Sequence, residues 1–87
     1  MYTIISKQNL GATVRRLDIR AEALAAKLKP GHFVAIMLEP SSRPVPYNVF
    51  ETDWRRKCFS IIFEETDELS RRMGELRIND QVHAVCG

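Results

Sequence analysis

A chain of 87 residues, 45% hydrophobic and 28% charged, has room for one domain with one small core and is too apolar to be read as disordered. Thirteen Lys and Arg against eleven Asp and Glu leave a formal charge of +2, too little to imply nucleic acid as a partner. No apolar run approaches the roughly 20 residues of a membrane span and the N-terminus lacks a signal-peptide pattern, so a cytoplasmic protein is expected.

Tyr2 to Lys7 is rich in aromatic and β-branched residues and predicts a first strand, stopped by Gln8-Asn9 and Gly11. Alternation from Val14 to Ile19 predicts a second strand, mixed on both faces, that forms a hairpin with the first. Ala21 to Leu28 has the highest helix propensity in the chain and must end before Pro30, which predicts about two turns of helix or a helical loop. His32 to Leu38 is a nearly continuous apolar run, the pattern of a strand buried on both faces or of one closing a barrel.

Pro40, Pro44 and Pro46 stiffen the crossing to a short fourth strand, Tyr47 to Phe50, and Cys58 to Phe63 is the fifth. Leu69, Met73 and Leu76 recur at helical spacing, so Glu68 to Leu76 predicts an amphipathic helix capped by Thr66 or Asp67. Ile78-Asn79-Asp80 makes a turn into a last strand, Gln81 to Cys86, with Val82, Ala84 and Cys86 opposite His83 and Val85. The expected fold is mostly β: a small six-stranded antiparallel Greek-key barrel, one domain over residues 1–87, with one short helix between the fifth and sixth strands. An open sheet covered by a helix is the alternative. Cys58 and Cys86 form no C-x-x-C pair and have no suitably spaced His, so neither a zinc site nor a disulfide is expected.

The order of these elements, together with Pro30-Gly31-His32-Phe33-Val34 and Leu76-Arg77-Ile78-Asn79-Asp80, resembles the flavin-binding barrel of the ferredoxin-NADP reductase superfamily. Within it, the sequence is most similar to the electron-transfer subunits of dihydroorotate dehydrogenase and of NADH-dependent ferredoxin:NADP oxidoreductase, the sulfide dehydrogenase subunits. The resemblance implies an oxidoreductase flavoprotein with FAD as cofactor. It implies electron transfer between NAD(P)H, held on a nucleotide-binding domain that follows the barrel, and an iron-sulfur protein or second oxidoreductase subunit. No catalytic residue and no metal ligand belong to the barrel itself, and the isolated chain is not expected to turn over.

The resemblance also assigns site residues. Pro46-Tyr47-Asn48 is the flavin-facing run, with Tyr47 stacking on the ring and Asn48 standing where Ser or Thr is usual. Arg43 is the candidate to neutralise the pyrophosphate, although it lies three residues before Pro46. Aligning Arg43-Pro44 instead places Pro46 where a hydroxyl belongs, and proline cannot supply that donor. In the turn entering the helix Ser70 is the remaining phosphate contact, and Glu64, Glu65, Asp67 and Glu68 oppose a pyrophosphate.

Among other residues, His32 reads as a polar residue opening its strand rather than a base. Trp54 reads as a partial lid on the barrel end, and Cys86 as a small apolar strand residue. A flavin-less barrel serving as an interaction or assembly module is the second reading of the chain, favoured by the acidic turn and the displaced Arg43.

Overall fold

The computed structural model describes residues 2–87. Its elements are β1 (Tyr2–Asn9), β2 (Val14–Arg20), α1 (Glu22–Ala25), β3 (Phe33–Met37), β4 (Val45–Asp53), β5 (Cys58–Glu64), α2 (Glu68–Gly74), β6 (Gln81–Val82) and β7 (Ala84–Cys86). Seven strands, not six, form one antiparallel sheet in the order β6-β1-β2-β5-β4-β3-β7. The meander β3-β4-β5 lies beside β2, which gives the Greek-key arrangement.

The extra strand arises because the last extended segment breaks at His83. Its first half pairs with β1 and its second with β3, so one stretch of chain ties together the two edges of the sheet and nearly closes a barrel. At the break the His83 amide turns to the carbonyls of Met37 (2.9 Å) and Leu38 (3.2 Å). The expected alternation fails there: Val82 and Val85, three residues apart, are the buried positions, and Cys86 is exposed. There are also two short helices rather than one. The alanine-rich segment keeps only the single turn Glu22–Ala25, which has no side-chain cap, and it continues as turns through Leu28. The second helix stops at Gly74, short of Leu76.

Alternation decides most of the packing. Leu17 and Ile19 of β2, Ile36 of β3, Val49 of β4, and Phe59 and Ile61 of β5 point inward and are almost fully buried beside Ile4 of β1. β3 is buried on one face only: Val34 and Ile36 are inside, while Phe33 is 62% exposed, so its apolar run is that of a barrel-closing strand. Arg16 and Asp18 make β2 look mixed because they lie on the outer face, where their charges are paired across the sheet.

Gly74 needs its missing side chain. A Cβ there would fall 1.8 Å from Oε2 of Glu65, which is held by the Arg15 guanidinium at 3.0 Å. Asn79 supplies the left-handed residue (φ 80°) of the turn into β6.

Candidate functional site

β4 begins immediately after the proline-bearing loop, and its first residues pair with β3 alone: Val45 lies opposite Ile36, Pro46 opposite Ala35, Tyr47 opposite Val34 and Asn48 opposite Phe33. Pairing with β5 starts at Val49. Pro46, which has no amide to donate, therefore sits where β5 asks for none. The strand's two faces separate the expected flavin run. Pro46 and Asn48 are exposed on the outer face, whereas Tyr47 turns inward with 8% exposure. Its ring meets Phe63 edge-on, with centroids 5.5 Å apart and planes at 72°. The ring of Tyr47 is thus a core aromatic, and the outer aromatics beside Asn48 are Phe33, its cross-strand partner, and Phe50, two residues on.

The Tyr47 hydroxyl is buried and has no hydrogen-bond partner. Burial pushes its phenol up to about 12; the Asp67 carboxylate adds to the rise and Arg43 opposes it. Arg43 is exposed and forms no ion pair among the described residues.

α2 starts with a capping box. Asp67 Oδ1 accepts the Ser70 amide (2.8 Å) and hydroxyl (2.8 Å), while Ser70 Oγ accepts the amides of Thr66 (2.8 Å) and Asp67 (3.0 Å). The Ser70 backbone and side-chain hydrogen bonds hold the Asp67 carboxyl below its usual value, with help from Arg43 and Arg71. The four carboxylates of this region do not act together. Glu64 accepts the Thr13 hydroxyl (3.2 Å) and Glu65 is bound by Arg15, which turns both toward the β1–β2 hairpin and leaves Asp67 and Glu68 at the turn.

On the outer face of β2 and β5 the structure assembles a cluster that sequence reasoning missed. Asp18 of β2 and Ser60 of β5 face each other in register, both almost fully buried, and the Ser60 hydroxyl donates to Asp18 Oδ1 at 2.7 Å. Arg16 Nε reaches the same oxygen at 3.1 Å, Arg56 reaches Oδ2 at 3.2 Å, and Glu51 of β4 takes the other end of Arg16. Burial works against the Asp18 charge, but Ser60, Arg16 and Arg56 outweigh it and hold the carboxyl below its usual value. A polar residue in the middle of an apolar strand, as at Asp18 and Ser60, was the available signal. The nearby Trp54 is 71% exposed with the Arg55 guanidinium 5.7 Å from its ring centre, so it does not cover the barrel end. His32 precedes β3, and its Nδ1 accepts the Lys29 amide at 3.2 Å.

No family model matches the chain. A curated protein of Clostridium beijerinckii, described as an uncharacterized protein in the adh 3' region, is 26% identical over 87 residues, which are all of this chain and 29% of that protein. The structure of an NADH-dependent reduced ferredoxin-NADP oxidoreductase superposes over the whole chain with a TM-score of 0.95 at 20% identity, and the match takes in 32% of it. The siderophore-interacting protein of Acinetobacter baumannii (TM-score 0.79, 17% identity) and a ferredoxin-NADP+ reductase of Plasmodium falciparum (0.76, 18%) match over 99% of this chain and 38% and 37% of theirs. The chain shares the barrel fold of these three structures. The chain spans under a third of the curated relative's length.

The residues present suit a flavin ring better than the pyrophosphate of FAD. Pro46, Asn48 and the neighbouring aromatics offer an exposed surface with an amide donor, and Arg43 offers an unpaired cation. The turn before α2 does not suit a pyrophosphate, because its own carboxylate and hydroxyl already occupy the amides of Thr66, Asp67 and Ser70.

Proposed function

We propose that the chain is the flavin-binding barrel of an electron-transfer oxidoreductase that passes electrons between NAD(P)H and an iron-sulfur partner. The superposition over the whole chain on an NADH-dependent ferredoxin-NADP oxidoreductase is the observation that supports this reading. FAD is the proposed cofactor, and when bound it supplies the redox chemistry. The chain's part is to bind and orient. Asn48 presents an amide from the outer face of β4, Pro46 lies on the same face, Tyr47 braces the strand from within, and Arg43 is the cation offered to the phosphates, since Ser70 is taken up by its own cap. NAD(P)H is assigned to a separate domain.

Titration of the chain with FAD, followed by flavin fluorescence and by the visible absorbance of bound flavin, tests the reading. Saturable quenching is expected, and free flavin at every protein concentration refutes it. The closed capping box at α2 favours a second reading, a flavin-less barrel kept as an assembly module. The same titration separates the two.

A further inference from the structure

The outer face of β4 carries an aromatic ring that the fold holds in place. Pairing with β5 slips between Val49, opposite Ile61, and Glu51, opposite Ser60, so Phe50 is the extra residue of a β-bulge. The bulge sets Phe50 and Glu51 side by side against Arg16, whose guanidinium lies 5.5 Å from the Phe50 ring centre and also pairs with Glu51. Arg16 is held at two further points: Nε donates to Asp18 Oδ1 and Nη2 to Ser60 Oγ, both at 3.1 Å, and Asp18 and Ser60 are themselves almost fully buried. The Phe50 ring is therefore backed by a pinned cation, while 49% of the residue stays exposed on the face that carries Pro46 and Asn48. Phe33, opposite Asn48, is more exposed, and among the described residues no cation lies over its ring. A ring ordered before binding loses less entropy on binding than a free one, so Phe50 is the better platform for a flat aromatic ligand.

We infer that Phe50 is the residue on which the flavin ring stacks and that Arg16, fixed by Asp18, Ser60 and Glu51, is its positioning residue. This rests on the flavin-barrel reading above, and it moves the stacking role from Tyr47, whose ring lies in the core, to the outer face of the same strand. It also gives the buried Asp18–Ser60 pair a task, which is to fix the arginine that backs the ring.

The chain and its variants are titrated with FAD and with riboflavin by fluorescence quenching, and the visible circular dichroism of the bound flavin is recorded. Phe50→Ala lowers the affinity for both flavins by the same factor, about tenfold, because the ring system is the part they share. Phe50→Trp keeps affinity within about threefold of wild type, and Phe33→Ala costs less than Phe50→Ala. Arg16→Lys keeps the charge but loses the flat guanidinium, so affinity falls about threefold and the circular dichroism band changes. The Arg16→Lys, Phe50→Ala double variant binds no more weakly than Phe50→Ala alone. Phe50→Leu, apolar but without a ring, serves if the Ala variant fails to fold. Unchanged affinity on loss of the Phe50 ring, a larger loss in Phe33→Ala, or a loss confined to FAD overturns the stacking assignment and leaves the flavin-barrel reading standing. Additive losses in the double variant overturn the role of Arg16. Absence of binding of either flavin by the wild-type chain overturns both the inference and the reading beneath it.

Discussion

Replacing Tyr47 with Phe removes one oxygen from the barrel and keeps the ring that meets Phe63 edge-on. That oxygen is buried without a partner, a state that costs about 1 to 3 kcal/mol, so Tyr47→Phe should stabilise the fold by about 1 kcal/mol. For 87 residues the entropy of unfolding is about 0.18 kcal/mol/K, and 1 kcal/mol corresponds to a Tm rise of about 5 °C. A pH series adds a second readout. The phenol titrates at 10.0 in the unfolded chain and at about 12 in the barrel. As pH rises through 10, the unfolded state loses its proton first, so the unfolded state gains and stability falls until the folded phenol also ionises near 12. Wild type should therefore lose about 1.4 kcal/mol relative to Tyr47→Phe by pH 11, about half of the loss across the whole window. Urea unfolding followed by circular dichroism at pH 7, 9, 10 and 11 measures both effects. A variant destabilised by more than about 1 kcal/mol at pH 7, with no divergence above pH 9, would show that the hydroxyl is satisfied and refute the reasoning.

Asp18→Asn leaves Arg16 and Arg56 without their shared carboxylate and should cost about 2 to 3 kcal/mol in urea unfolding at pH 7. Because the folded carboxyl titrates below 3.8, its contribution is present above about pH 4 and fades as pH falls through the folded value, so wild type and variant should converge in acid. Gly74→Ala should destabilise by about 1 to 2 kcal/mol, because the new Cβ displaces Glu65 from Arg15. Adding Glu65→Ala should recover the loss, and a single variant as stable as wild type would contradict the clash. Lys57 is held at φ 57° in the β4–β5 turn, so Lys57→Gly should raise stability by about 0.5 to 1 kcal/mol, read from its Tm.

The local pattern was legible wherever a single face or a single turn decided it. Aromatic and β-branched composition marked β1, alternation marked β2, the run Cys58 to Phe63 marked β5, the Leu69-Met73-Leu76 spacing marked α2, and of its two candidate caps the structure uses Asp67. The prolines before Tyr47 marked the crossing into β4, although the strand starts two residues earlier and runs to Asp53. Ala21 to Leu28 was overestimated as helix because propensity favours it and nothing local reports that the barrel leaves space for one turn.

Hydropathy along the chain determined which residues face the core, because burial repeats with the period of each element and needs no knowledge of the partner. Partner choice is a different quantity, set by pairings between residues distant in sequence, and only the tertiary structure decided it. It split the last strand at His83 so that one segment could serve both edges, and it placed Ser60 opposite Asp18. It also turned the ring of Tyr47 into the core, edge-on to Phe63. The Pro46-Tyr47-Asn48 run lies on one strand, yet its residues point to opposite faces, because successive side chains of a strand alternate.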